Sequence, residues 1–335
     1  MTGDGTAFGS LADLLARHGL AGVPEEPFPN DGWSGASMTL LRRGAKRYVL
    51  KRDSPARDWI ARSTRDGPIL REAWFAVHGP PLPAPLRAPY LGAGIDGDDV
   101  GILMPDLSST LLAWDEPIAT EALDRVLAAL AALHRTNGDD RLPEGPRCPL
   151  PERLTLICRA SLERPGPARD AVGERILPGW DAFDRLAPPS VRRLVTDLGN
   201  DPTPLVEALR RQPSTLIHGD LKLANVGLAD DGSVDLVDWQ MVSVAPVAVE
   251  LGWFLVANVA SLPVPPDAVL ARYESLAGPI GRDGADATTL VGLLLRGWRK
   301  GYDAAAGVRF PSGVTAVDDL AWWCDRALAA ADRIL

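Results

Sequence analysis

Apolar and polar residues change rhythm several times along this chain of 335 residues. Leu11, Leu14, Leu15 and Leu20 recur near helical spacing, so residues 10–20 predict a short amphipathic helix. The next stretch, "FPNDGWSGASMTLLRRGAKRYVLKR", runs through a turn cluster, an apolar run, the turn "RRGAK" and a second apolar run. That order predicts strand, turn, strand. In "ILREAWFAVHG" the residues Ile69, Leu70, Trp74 and Val77 form a helical stripe that ends at Gly79. A proline-rich link leads to "DDVGILMPDL", which predicts a buried strand ending at Pro105. Beyond it the helical rhythm takes over: a helix over 119–135, helices and loops rich in Pro and Arg to about 210, and helices again to the end. The exception is "LIHGDLKLANVGLADDGSVDLVDWQ", residues 216–240, where two apolar stubs are each closed by a polar cluster. No internal repeat or long low-complexity tract is present. The pattern predicts an α+β chain: a small strand-rich part over 1–103, a connection at 104–108, and a larger, mainly helical part over 109–335.

Composition adds exclusions. At 46% hydrophobic and 24% charged residues, the chain can bury a sizeable core. A net charge of -9 gives no broad basic footprint, so a nucleic-acid partner is not expected. Cys148, Cys158 and Cys324 lack the spacing of a zinc site or a disulfide framework, and the four histidines are scattered, which argues against a histidine-built metal centre. His134, in "LAALHR", reads as a core histidine on an apolar helix face. The N-terminal stretch lacks a basic start followed by an apolar core, so no secretory signal is expected. The stretch "VSVAPVAVELGWFLVANVASL" is interrupted by Pro246, Glu250, Gly252 and Asn258 and reads as a buried helix with an apolar lead-in, not a membrane span. A cytoplasmic monomer or homodimer without a membrane partner is the expectation.

The candidate chemistry lies in residues 216–240. Asp220 and Asn225 stand five apart after the stub "TLI", a segment too short and polar to expect in the core, and Asp238 closes a second stub, "VDLV", after the turn "ADDGS". Pairing of the two stubs through that turn would bring the three side chains to one mouth. Magnesium takes oxygen ligands, commonly one or two carboxylates with waters and substrate phosphates completing its shell. Asp238 and Asn225 suit that role, which leaves Asp220 to accept a proton from an attacking hydroxyl.

"HGDLKLAN" followed by "LVDWQ" resembles the catalytic loop and metal-binding segment of the aminoglycoside phosphotransferase and choline kinase-like family, whose fold is the bilobal protein-kinase-like one. His218, Gly219, Asp220, Asn225, Asp238 and Trp239 match its key positions. The resemblance implies that Asp220 is the catalytic base, that Asn225 and Asp238 bind Mg2+, and that His218 braces the loop. It further implies an ATP-dependent small-molecule kinase, with GTP as an alternative donor. Lys51, closing "RYVLK", takes the place of the lysine on the nucleotide phosphates, and Glu72 is the helix glutamate best placed to pair with it; Glu25 and Glu26 are poorer candidates. Only four lysines occur, and two of them, Lys51 and Lys222, fall at kinase-like positions. Lys222 matches the "DLK" lysine that meets the transferred phosphate.

"NDGWSGAS" occupies the place of the phosphate-covering loop, with amides around Ser34 and Gly35 as candidate donors. "GILMPDL" resembles the hinge strand, so the backbone of Met104 to Asp106 would meet the adenine; Pro105 has no N–H, which leaves Met104 and Asp106 or Leu107 as donors. Gln240 stands where protein kinases have glycine, so an activation-loop switch is not expected. Glu250 takes the place of a helix-opening aspartate and reads as a buried, paired glutamate with a structural role, with a tether of the catalytic loop as the other reading. Acceptor candidates come from "WRKGYDAA" and "VDDLAWWCD": Asp303, Asp319, Trp322 and Trp323, offering carboxylates for amines and indole faces for cations or sugars. Packing of these indoles along an amphipathic helix is the competing reading. The acceptor is then a small hydroxyl-bearing molecule: an aminoglycoside-like antibiotic, an amino alcohol or a sugar. A nucleotide-binding scaffold without turnover and a protein kinase are the alternative functions.

Overall fold

The computed structural model describes residues 8–29, 32–136 and 145–335. Its N-terminal part contains α1 (Leu11–Arg17), β1 (Glu25–Pro27), β2 (Ser37–Arg43), β3 (Lys46–Asp53), the short α2 (Trp59–Ser63), α3 (Arg71–His78), the two-residue β4 (Leu86–Arg87), β5 (Gly92–Asp96) and β6 (Asp99–Pro105). Five of these strands form an antiparallel sheet in the order β1-β2-β3-β6-β5.

Alternation along β3 sorts its side chains onto two faces. Leu50 packs with Leu41, Leu103 and the α1 leucines Leu11 and Leu14. Val49 packs with Leu40, Ile102, Met104 and Ala73 of α3 on the other face. Lys51, two residues beyond Val49, therefore points toward α3, although it is a charged side chain only 5% exposed.

The remaining elements are α4 (Thr120–Thr136), α5 (Leu150–Thr155), α6 (Arg159–Glu163), α7 (Glu174–Leu186), α8 (Pro189–Asn200), α9 (Thr203–Arg210), β7 (Ser214–Ile217), β8 (Val226–Leu228), β9 (Val234–Leu236), β10 (Ser243–Pro246), α10 (Val247–Ala257), α11 (Pro266–Ala277), α12 (Gly281–Ala305) and α13 (Ala316–Ile334). Helix α12 runs through the middle of this part, packed against α7, α10 and α13. α10 is buried over nearly its whole length, and its contact with α12 depends on small residues. A Cβ on Gly252 would stand 2.7 Å from the Thr288 carbonyl oxygen and 3.0 Å from the Gly292 nitrogen.

The apolar lead-in to α10 is strand β10. Its partner corrects the expectation for "TLI": β7 is buried, with Leu216 4% and Ile217 0% exposed, and pairs with β10 over Ser214–Ile217 and Ser243–Pro246, not with "VDLV". The turn "ADDGS" instead joins β8 to β9. The two-residue β4 pairs in parallel with β9 and so belongs to the sheet of the catalytic segment. Arg87 of β4 seals that pairing with a bidentate contact to Asp235 at 2.8 and 3.1 Å.

His134 is a core histidine: its Nδ1 lies 2.8 Å from the Tyr273 hydroxyl, and burial pulls its pKa down to about 3. The three cysteines are buried free thiols. Among the described residues, no helix is long and apolar enough to cross a membrane.

Candidate active site

His218, Gly219 and Asp220 leave the end of β7, Asn225 precedes β8, and Asp238 follows β9, so three strand ends deliver the polar residues. Gly219 has φ +81, and a Cβ there would stand 2.1 Å from the Met241 carbonyl oxygen. Only glycine combines that left-handed conformation with so close an approach. Asp238 also adopts a left-handed conformation, with φ 67 and ψ 54, at the step from β9 into a single helical turn. A non-glycine residue held there costs free energy and is characteristic of functional turns.

The loop is braced from several directions. His218 is fully buried; its Nδ1 accepts from the Asp220 N–H at 3.3 Å, so Nε2 carries the proton and donates to the Val237 carbonyl at 2.8 Å. Burial lowers its pKa, in keeping with that neutral tautomer. Glu250 accepts the N–H of His218 and, at 3.1 Å, that of Gly219. Burial pushes this carboxyl up to about 7, against the pull of the two N–H bonds and of Arg153. Asn225 Nδ2 donates to the Asp220 carbonyl at 2.9 Å, which orients the amide and turns its carbonyl oxygen away from that bond.

Two braces carry no motif. Asn258 accepts the Leu223 N–H at 2.8 Å and donates to the Leu221 carbonyl at 3.1 Å. Arg153, 2% exposed, reaches the Gly219 carbonyl from α5 with Nε at 2.9 Å and Nη2 at 2.7 Å.

Across the cleft, Lys51 Nζ lies 2.6 Å from Glu72 and 2.8 Å from Asp238. Burial alone would lower the lysine, but the two carboxylates outweigh it and hold its pKa above the ordinary value. Burial raises Glu72, whereas for Asp238 the charges of Lys51 and Lys222 overcome burial and hold the carboxyl below its usual range. Tyr90 ties the pair together: its hydroxyl donates to Glu72 at 2.8 Å and accepts the Asp238 N–H at 2.9 Å. Lys222 Nζ lies 3.0 Å from Asp220, with its side chain 38% exposed. Lys51, Glu72, His218, Asp220, Lys222, Asn225 and Asp238 are thus brought together.

The oxygen donors expected to hold a divalent cation are the Asp238 carboxylate, one oxygen of which meets Lys51, and the Asn225 amide oxygen. Among the described residues no cluster of three His, Cys, Asp or Glu side chains is arranged to hold a metal. One carboxylate and one amide fit magnesium, which completes its shell with water and nucleotide phosphate.

The nucleotide-covering candidates are partly placed. Asn30 and Asp31 of "NDGWSGAS" lie outside the described residues. Ser34 is buried, its hydroxyl accepts the Ala36 N–H at 3.4 Å, and Gly35 takes φ +100, so this segment is a sharp turn beside β2. At the connection, the Asp106 N–H already bonds the Arg47 carbonyl at 3.1 Å, and Met104 faces Val49 within the sheet. Both expected adenine donors are committed to the ladder, which leaves the Leu107 amide.

The acceptor candidates are not brought to this cleft as free groups. Asp303 is buried in a two-pronged contact with Arg299, each prong 2.8 Å, and Asp319 is buried against Lys300 at 2.7 Å. Trp323 is fully buried, within 5.2 Å of the Lys300 ammonium. Trp322 donates to Asp267 at 2.9 Å at the outer side of α13. Helical packing, the competing reading, accounts for these positions.

A strand-rich sheet over a helical body, with a Lys–Glu pair above and an Asp/Asn/Asp set below, defines a kinase-like phosphotransferase. The family model of the phosphotransferase enzyme family matches residues 26–287, and the chain belongs to that family. Solved structures agree on the fold. The choline kinase LicA from Streptococcus pneumoniae is 14% identical with a TM-score of 0.51, covering 92% of this chain and 93% of that one. Spectinomycin phosphotransferase APH(9)-Ia, solved in complex with ADP and spectinomycin, is 14% identical with a TM-score of 0.52, covering 96% and 97%. No curated protein matches the sequence.

Proposed function

We propose that the chain is a Mg-ATP-dependent O-phosphotransferase acting on a hydroxyl of a small molecule. The observation that carries this reading is the buried Lys51 ammonium, 2.6 Å from Glu72 and 2.8 Å from Asp238, the aspartate that follows β9. A lysine held in this way offers a fixed point charge to nucleotide phosphates.

In this reading Asp238 and Asn225 would hold magnesium, which would supply positive charge to the nucleotide phosphates. Asp220 takes the proton of the acceptor hydroxyl as its oxygen forms a bond to the γ-phosphorus. The bond from that phosphorus to the bridging oxygen breaks, and its electron pair leaves with ADP. Lys222 steadies Asp220 and faces the transferred group. His218, Glu250, Asn258 and Arg153 keep the base in place through the loop backbone and do not themselves meet the reacting atoms.

Thermal unfolding with ATP or GTP, with and without magnesium, tests the reading. A nucleotide at a hundredfold excess over its Kd stabilises the folded chain by about 2.7 kcal/mol. Asp220→Asn is expected to keep that magnesium-dependent shift and to lose about 10²–10⁴-fold in kcat. Full turnover in Asp220→Asn removes the base assignment, and the absence of any nucleotide shift removes the kinase reading.

A further inference from the structure

Helix α12 breaks its regular conformation at one residue, Arg296, with φ -140 and ψ 26. The break places its guanidinium 5.3 Å from the Trp253 ring centre and 5.2 Å from that of Trp298. Arg153, the brace of Gly219, lies 4.4 Å from the same Trp253 ring. One indole therefore joins the loop that carries Asp220 to the kink in α12.

The charges around this point do not balance. Asp303 is committed to Arg299, Asp220 to Lys222, and Glu250 to two backbone N–H groups. Arg153 has a carbonyl as its hydrogen-bond partner. Arg296 has no carboxylate within ion-pair distance among the described residues; Asp220 and Asp303 act on it only through space. Burial and the charge of Arg299 pull it down to about 10, so it stays protonated at neutral pH.

The hydrogen-bond inventory is lopsided in the same sense. Arg296 Nε, Trp253 Nε1 and Trp298 Nε1 are all buried donors without an acceptor. The two indoles are 7% and 5% exposed. Buried donors left unpaired cost about 1–3 kcal/mol each. The chemistry that answers three such donors and a surplus cation is an acceptor-only anion, a carboxylate or a phosphate.

We propose that Arg296, seated between Trp253 and Trp298 on the kink of α12, binds a carboxylate or phosphate group of the acceptor, so that the substrate is an anionic hydroxyl compound. This rests on the phosphotransferase reading, since the charge of Arg296 is felt by the base Asp220 and one indole links Arg296 to the brace of the Asp220 loop. The substrate class is thereby narrowed from any small alcohol to one bearing a negative charge.

The test uses the full chain saturated with Mg-ADP and follows tryptophan fluorescence, because the anion would settle against two indoles. Glycerate and glycerol 3-phosphate are titrated beside glycerol and choline. A saturable response to glycerate, glycerol 3-phosphate or both is expected, and which of them responds distinguishes carboxylate from phosphate. Arg296→Met is expected to weaken that response about tenfold to a hundredfold, and Arg296→Lys to restore much of it. Trp298→Phe, which keeps the charge and removes one donor, serves if Arg296→Met does not fold, and is expected to weaken the response by a smaller factor. The Mg-ADP thermal shift of each variant reports folding and nucleotide binding separately, so a failure of the kinase reading shows as the loss of that shift in the wild type. Binding of choline or glycerol in preference to the anions, no response to either anion, or an undiminished response in the variants overturns the proposal.

Discussion

Replacing Lys51 by methionine probes the arrangement on which the site depends. Methionine nearly keeps the length of the side chain but removes the charge, leaving Glu72 and Asp238 facing each other. The lysine side chain is 6% exposed and that of Glu72 4%, so their 2.6 Å contact is shielded from water; Asp238, at 23%, retains partial solvation. Deleting one member of a buried pair costs about 3–5 kcal/mol, mainly because the partner charge is stranded. Glu72 escapes by taking up a proton, and its pKa, already raised by burial, rises further. A carboxyl whose folded value lies above its unfolded value of 4.5 contributes most stability below about pH 4.5 and loses it as pH rises through the folded value. The variant is therefore expected to be most defective near neutral pH and to recover toward the wild type at acid pH.

Urea unfolding at several pH values measures this, and the double variant Lys51→Met/Glu72→Leu supplies the control. Replacing both members by apolar groups is expected to restore part of the loss, since Glu72 is no longer stranded, although Asp238 still lacks Lys51 and Tyr90 loses its acceptor. A single-variant cost below about 1 kcal/mol, or a double variant no better than the single one, would refute the reasoning.

Glu250→Gln, which does not titrate, is expected to flatten the decline in stability that the wild type shows as pH rises from 4.5 through about 7, where the raised Glu250 carboxyl ionises; thermal midpoints across that range report it. Gly219→Ala is expected to cost about 2–4 kcal/mol, through the left-handed backbone and the 2.1 Å approach to the Met241 carbonyl, and to abolish turnover. Chemical unfolding with an activity assay checks both effects.

Local rhythm made much of this architecture legible. The two-residue alternation of "YVLK" places Lys51 on the same face as Val49. The stripe Ile69, Leu70, Trp74 and Val77 does not mark the buried side of α3, which carries Arg71, Glu72, Ala73 and Phe75 while Val77 is 45% exposed; Glu72 comes from the family resemblance. The loop residues were legible from their types and order, which match the family motif, although they stand at three strand ends and not at the ends of two paired stubs. Partners distant in sequence were not. Nothing near "TLI" announces that it pairs with Ser243–Pro246, and nothing in "PYLG" marks Tyr90 as the bridge between Glu72 and Asp238. Arg153 and Asn258 act through backbone atoms far along the chain and leave no pattern of their own. The reading of Asp319 as an acceptor ligand failed for the same reason: the sequence shows an acidic residue, and only the packing of α12 on α13 shows that Lys300 neutralises it. Arg296 escaped notice because the surrounding pattern is that of an unbroken helix.

Helix α3 is fastened through one face at three points, two of them on the catalytic segment. Arg71 donates to the Gln240 carbonyl at 2.8 Å, Glu72 meets Lys51, and the Phe75 ring stacks on Trp239 with centres 4.0 Å apart. Swinging this helix outward would break a buried hydrogen bond, an ion pair and an aromatic stack together, with no exposed charge in the set for a phosphorylation or a partner to act on.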